Sequence, residues 1–368
     1  MSRWAQSQPF SASDPACRVQ SIQKSSTTYE NAATNFATHL TAVTRLDSRG
    51  VYQVYVAKQG AGNFTCISCA PRPGAPRVDR NKPMISWNPS GKWLVVGVEE
   101  NSHDLRWIPY SWQRGLLQSG VWLNMWVTKP DGSAWSQLTD FKPSAGPANG
   151  FVGVPFTPDG KTGVWAEIVN GNIFANKLGV WKLYRADFHI PANDLPALAN
   201  RRDITPAGAR WVEPGDFSPD GRYLLLSADI GMRDAEGQDQ FVLDTATGSI
   251  QNLTNSPTVW DEHGIYSPDG KKIVFMSSYP YRNDPKSHKT ASLKTEFMLM
   301  SADGSHLQQL THFNMPGYPE SQKGHTVAAV AAFNPQGSQL LGAVMAPNFT
   351  KTNWIIHFAG PCGNERGN

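Results

Sequence analysis

The chain has 368 residues, long for one compact α/β domain and ordinary for a closed all-β architecture. Only 17% of the residues are charged and the net charge is +3, too small a surplus to argue for nucleic acid or an anionic membrane surface as a partner. No apolar run approaches the roughly 20 residues of a membrane helix. The 32 Gly and 27 Pro are spread along the chain, the mark of many short turns rather than a disordered tail.

In chain order, Met1-Ser2-Arg3-Trp4 carries no apolar core of a signal peptide. The low charge and the wealth of Trp, Asn, Ser and Thr nonetheless resemble an exported bacterial protein. The expectation is a secreted or periplasmic protein numbered from a processed or recombinant N-terminus. Cys17-Arg18-Val19-Gln20-Ser21-Ile22 alternates like a strand. Tyr52 to Val56 and Phe64 to Ile67 then read as two strands of a first unit.

From there one turn recurs. It appears as Trp87-Asn88-Pro89-Ser90-Gly91, Phe156-Thr157-Pro158-Asp159-Gly160, Phe217-Ser218-Pro219-Asp220-Gly221, Tyr266-Ser267-Pro268-Asp269-Gly270 and Phe333-Asn334-Pro335-Gln336-Gly337. Pro fixes φ, Asp bonds its own backbone, and Gly takes the positive φ. Each turn feeds an apolar strand such as Tyr223-Leu224-Leu225-Leu226. A second half follows most copies: a strand, a turn, and a Leu-Thr ending at Leu138-Thr139, Leu253-Thr254 and Leu310-Thr311. The third copy is looser and ends Ile204-Thr205-Pro206. Each unit therefore reads as four antiparallel strands, a to d. Stacked radially, such sheets bury one another's faces. Five turns plus the early unit predict an all-β, six-bladed β-propeller over residues 1–368, with tails at 1–16 and 359–368. The last copy supplies only three strands, so the N-terminal strand is expected to complete it.

These Phe/Tyr-Ser-Pro-Asp-Gly turns and Asp-Gly to Leu-Thr halves resemble the TolB-like family of six-bladed β-propellers across roughly residues 40–358. A weaker similarity is to oligogalacturonate-lyase-type propellers, and it implies a channel that holds a metal. The likeness lies in the blade turns, so no residue role is carried over from either family.

Four cysteines do not make a zinc site, and Cys66-x-x-Cys69 lacks the helix start of a redox motif. If the ring closes through the N-terminal strand, Cys17 and Cys362 meet and a disulfide between them is expected. Cys66 and Cys69 are either a local disulfide or two buried thiols. Both pairings fit an oxidising compartment.

The Pro-Asp-Gly turns join strands a and b on one face, so the b–c loops and d–a connections open on the other. The long b–c loops carry His103, Arg106, Trp107 and Trp112, then Arg233, then Arg282, which are the candidate ligand-binding residues. Strand a begins on that same face. Aligning two repeats sets Trp211-Val212-Glu213-Pro214-Gly215 against Trp260-Asp261-Glu262-His263-Gly264, so Glu213 and Glu262 share a repeat position. His325 stands at the start of the last strand a. Glu213, Asp261, Glu262, His263 and His325 are the candidate catalytic residues, with His263 and His325 as candidate metal ligands. Carboxylates and imidazoles suit acid/base chemistry or a divalent ion such as calcium, manganese or zinc. The same residues also suit plain roles, a Glu capping backbone N–H groups or a His satisfied in a turn. Trp87, Trp165 and Trp211 read as packing between blades.

No nucleophile elbow and no phosphate-binding loop is present. Two functional readings remain open. One is a carbohydrate-active hydrolase or lyase acting on a saccharide or another small polar substrate. The other is a non-catalytic propeller that binds a protein or a glycan through the same face.

Overall fold

The repeated turn closes on its own side chains. In Tyr266–Gly270 the Ser267 hydroxyl donates to Asp269 Oδ1 at 2.8 Å, and the Lys271 N–H donates to the same oxygen at 3.0 Å. The Lys272 N–H donates to Ser267 Oγ at 3.0 Å, and Gly270 takes φ 73°. Thr157 and Asp159 repeat the arrangement, as do Ser218 and Asp220. Asp159, Asp220 and Asp269 are thus occupied by turn formation. Each turn is closed by local side-chain hydrogen bonds and hands the chain to an apolar strand.

The computed structural model describes residues 14–26, 29, 31–99, 115–141, 149–170, 179–191, 195–233 and 236–363. Their strands form six four-stranded antiparallel sheets, the blades of a six-bladed β-propeller. The first sheet comprises β2 (Asn31–Asn35), β3 (Leu40–Leu46), β4 (Tyr52–Lys58) and β5 (Thr65–Cys66). The second comprises β6 (Met84–Trp87), β7 (Leu94–Glu99), β8 (Leu123–Thr128) and β9 (Trp135–Gln137). The third has β10 (Phe151–Val152), β11 (Thr162–Asn170), β12 (Val180–His189) and β13 (Ala197–Asp203). The fourth has β14 (Val212–Phe217), β15 (Tyr223–Ala228), β16 (Asp239–Asp244) and β17 (Ile250–Asn252). The fifth has β18 (Asp261–Tyr266), β19 (Lys272–Ser277), β20 (Glu296–Ser301) and β21 (Gln308–Gln309). The last has β22 (Val327–Phe333), β23 (Gln339–Met345) and β24 (Lys351–Phe358). Its fourth strand is β1 (Val19–Lys24), antiparallel to β24 with Ile22 opposite Ile356, as the sequence predicts.

The first blade lacks the Pro-Asp-Gly signature for a visible reason. Between β2 and β3, His39 takes the left-handed position at φ 55°, and Asn35 Oδ1 accepts from the Thr38 N–H and hydroxyl at 3.0 and 2.9 Å. A different side-chain set builds an equivalent turn.

The Leu-Thr endings also have a physical role. Thr254 Oγ1 accepts the Gln240 N–H at 3.0 Å and donates to Asp239 Oδ1 at 3.0 Å. Thr311 does the same between the Phe297 N–H and Glu296, and Thr139 between the Met125 N–H and Asn124. Ser68 serves Val54 and Gln53. In the third blade the residue before Leu183 is Lys182, which cannot accept. There Thr205 takes the Leu183 N–H and donates to Asp203, and Lys182 pairs with that same carboxylate.

The chain packs as two compact units, Met1–Ser26 with Arg222–Ser227 and Gly231–Asn368, and Thr27–Gly221 with Ala228–Ile230. The core of the first includes Phe297, Phe313, Leu340, Trp354 and Ile356, with Phe313 edge-on to Trp354 at 5.3 Å between ring centroids. The core of the second includes Val54, Ile67, Trp87, Leu94 and Trp135. Trp87 packs between blades there, donating Nε1 to the Ala33 carbonyl at 3.0 Å. No helix of the described residues is long and apolar enough to cross a membrane.

Both cysteine pairs are disulfides, Cys17–Cys362 across 345 positions and Cys66–Cys69 across 3. The first staples the segment before β1 to the end of the chain, beside the β1–β24 pairing. A loop of that length restrains the unfolded chain by about 6 kcal/mol in the entropic account. Replacing Cys17 and Cys362 by Ser together is expected to lower the urea midpoint by the equivalent of several kcal/mol. An unchanged midpoint would show that the staple adds nothing beyond the strand pairing.

Candidate functional site

Strand β18 begins Asp261-Glu262-His263-Gly264. Its pairing with β19 is regular at Asp261–Ser277 and Glu262–Met276, slips, and resumes at Ile265–Val274. His263 and Gly264 therefore occupy the space opposite one partner residue. Such a bulge bends a strand and re-aims its side chains. His263 takes φ 58°, a left-handed conformation uncommon for a residue with a Cβ. Two contacts hold it there. Its N–H donates to Ser227 Oγ at 3.2 Å, and its Nδ1 lies 3.1 Å from the Ala329 carbonyl oxygen. Gln240 braces the arrangement, its Nε2 donating to Ser227 Oγ at 2.9 Å and to the Asp261 carbonyl at 3.0 Å. A Cβ on Gly264 would come 2.2 Å from Gln240 Oε1, so this position takes only glycine without displacing the brace.

A carbonyl only accepts, so the Ala329 contact places a proton on Nδ1, and in the neutral imidazole the lone pair is then on Nε2. That is the tautomer of an imidazole that serves as a base or a metal ligand. Glu262 Oε2 accepts from Trp260 Nε1 at 2.8 Å and lies 3.9 Å from His263 Nδ1. Glu213, half-buried on β14, holds the matching position of the preceding repeat. Glu262 and His263, a carboxylate beside an imidazole, are donors of the kind that hold a metal ion. His325 is half-buried ahead of β22.

Asp261 has a different environment. It is 1% exposed and turns to Ser256, whose hydroxyl lies 2.5 Å from Asp261 Oδ2 and 2.9 Å from Asp239 Oδ1. Asp239 also accepts from Asn252, Thr254 and the Ser256 N–H. Burial, and then the Asp239 charge, push the Asp261 carboxyl up to about 7. A protonated Asp261 donating to Ser256, which donates on to Asp239, gives each of these two contacts its proton. Asp261 thus belongs to a buried network, on the opposite side of β18 from Glu262.

The insertions around the strand starts are tied down. The Tyr281 hydroxyl donates to buried Glu296 at 2.6 Å, and the Thr290 N–H and hydroxyl donate to Glu236 Oε1 at 3.1 and 2.6 Å. The loop after β15 is thereby joined to the loop after β19. Arg233 and Arg282 are exposed on these two loops, and Arg282 lies over the Tyr279 ring at 4.2 Å from its centroid. His103, Arg106, Trp107 and Trp112 lie outside the described residues. Ser227 and Gln240, which set the pose of His263, carry no motif; the one cue is the glycine that follows the histidine.

No family model matches the sequence, and no curated protein matches it. Solved structures do share the fold. A TolB from Acinetobacter baumannii aligns at 15% identity over 89% of this chain and 66% of its own, with a TM-score of 0.48. An oligogalacturonate lyase in complex with manganese aligns at 10% identity over 90% of this chain and 89% of its own, with a TM-score of 0.51. A puromycin hydrolase aligns at 12% identity over 86% of this chain, which spans only 41% of that enzyme, with a TM-score of 0.52. At such identities the likeness is one of fold.

The Asp261 pair makes a pH prediction. The folded carboxyl titrates at about 7, above its ordinary 3.8, so the folded state holds the extra proton. Stability is therefore greatest below the ordinary value and falls as pH rises to about 7, by on the order of a few kcal/mol. Asp261→Asn keeps the neutral shape and is expected to flatten this slope in urea titrations between pH 4 and pH 8. A variant that keeps the wild-type slope would refute the protonated pair.

Proposed function

We propose that this protein is an exported, divalent-metal-dependent enzyme that cleaves a saccharide, by hydrolysis or by elimination, at the start of β18. The observation that carries this reading is His263. It is a histidine held in an uncommon backbone conformation, with its proton fixed on Nδ1, next to Glu262. Strained residues of this kind persist where the surroundings over-determine them, and they concentrate at functional sites.

The donor set fits the ion. Carboxylate oxygens and an imidazole nitrogen suit manganese, calcium or zinc. In this reading Glu262 and His263 Nε2 would hold the ion, which would supply Lewis-acid polarisation of a substrate oxygen. The Ala329 carbonyl holds the imidazole in the accepting tautomer, and Trp260 Nε1 orients Glu262. Arg233 and Arg282 offer guanidinium groups to an acidic sugar. Two disulfides support export to an oxidising compartment. That a lyase of similar fold is in complex with manganese makes manganese the first ion to test.

Calorimetric titration of manganese, calcium and zinc into chelator-stripped protein tests the ligand set. One ion is expected to bind with a raised melting temperature, and Glu262→Gln to weaken it about tenfold or more. Assays over a panel of neutral and acidic saccharides are expected to show turnover that this variant loses while its far-ultraviolet spectrum stays unchanged. Absence of ion binding rejects the metal; saccharide binding without turnover identifies a non-catalytic binder.

A further inference from the structure

The two disulfides live in different surroundings. Cys17 and Cys362 are each 0% exposed, in the core around Phe313 and Trp354. Cys69 is exposed and Cys66 half-buried, at the end of the short strand β5. Thiol–disulfide exchange requires a thiolate to reach a sulfur, so access decides which bond reacts in the folded protein.

The local contacts show what the accessible bond holds. Its ring spans only 3 positions against 345 for the other, so it restrains the unfolded chain far less. Between its cysteines lies Ser68, which is buried. Ser68 Oγ accepts the Val54 N–H at 2.9 Å and donates to Gln53 Oε1 at 2.7 Å. Gln53 Oε1 also accepts from Lys82 Nζ at 3.3 Å. Lys82 is 0% exposed, and its ammonium donates to the carbonyls of Arg77 and Arg80 at 3.1 and 2.7 Å. Gln53 Nε2 closes the network on the Val78 carbonyl at 2.7 Å. The exposed disulfide therefore stands at the open end of a buried polar chain that fixes the segment from 77 to 82. On its other side the Tyr55 hydroxyl lies 3.7 Å from Cys69 Sγ, and Tyr55 pairs across the strands with Cys66.

We infer that Cys66–Cys69 is a thiol-exchange site, a reversible clamp on Ser68 that a dithiol reductant opens while Cys17–Cys362 stays closed. One thiolate of the dithiol attacks the exposed Cys69 sulfur. The bond to Cys66 breaks, and Cys66 leaves as a thiolate and takes up a proton. The second thiol of the reductant, as its thiolate, then attacks its own partner sulfur in the mixed disulfide and releases Cys69 as a thiol. Two electrons and two protons pass to the protein, and the reductant leaves as a cyclic disulfide. Freed of the ring, Ser68 is no longer held between Val54 and Gln53, and the 77–82 segment loses its tether.

Folded full-length protein is treated with graded dithiothreitol, alkylated with iodoacetamide, and mapped by peptide mass. Cys66 and Cys69 are expected to be modified at least about a hundredfold faster than Cys17 and Cys362, which react only when denaturant is added. Hydrogen exchange is expected to rise in residues 60–83 of the reduced protein and to return on reoxidation. The Cys66→Ser, Cys69→Ser double variant is expected to show the raised exchange without any reductant. Equal rates at the two disulfides, or resistance of Cys66–Cys69 in the folded protein, overturn the exchange site. Unchanged exchange in residues 60–83 of both the reduced protein and the variant overturns the clamp.

Discussion

Among the described residues a hydroxyl just past strand d holds a backbone N–H of strand c in five of the six blades, from Ser68, Thr139, Thr205, Thr254 and Thr311. The constraint behind it is simple. A backbone N–H that leaves water must find an acceptor, and where strand d departs the ladder has none left. The hydroxyl fills the gap, and its own proton is spent on a neighbouring carboxylate or amide. Those acceptors gather further donors from the connection to the next blade. Glu296 takes the Phe313 and Asn314 N–H groups and the Tyr281 hydroxyl as well as Thr311. The pin thus fixes both the ladder and the loops that leave beside it.

The candidate site grows from one of these pins. Thr254 fixes the Gln240 backbone, and the Gln240 side chain reaches Ser227 and the Asp261 carbonyl. Ser227 then takes the N–H of His263, whose bulged, left-handed backbone sets the imidazole against Ala329. The site is thereby an extension of the hydrogen bonding that builds the blade. Adjacent strand residues face opposite ways. Asp261 is accordingly given to the buried Asp239–Ser256 network, while Glu262 remains beside His263.

The blade count, the closing strand β1 and the Cys17–Cys362 staple were legible because each depends on local turn chemistry or on repetition. Proline, aspartate and glycine at fixed offsets mark a turn wherever they occur. The first blade hid its turn because Asn35, Thr38 and His39 do the same work with other residues. The site was legible only as a stretch. An alternating pattern does not reveal that His263 and Gly264 share one place in the ladder. That neighbouring Asp261 and Glu262 part company does follow from the period of two. Ser227 and Gln240 look like ordinary strand residues, and their roles come from neighbours distant in sequence.

The metal-holding reaction centre proposed at the bulged start of β18 is open to direct observation. Anomalous diffraction from crystals soaked in manganese chloride tests it most directly. One strong anomalous peak is expected within bonding distance of His263 Nε2 and the Glu262 carboxylate, and it is expected to be lost in Glu262→Gln crystals. A peak elsewhere, or none at saturating manganese, would contradict it.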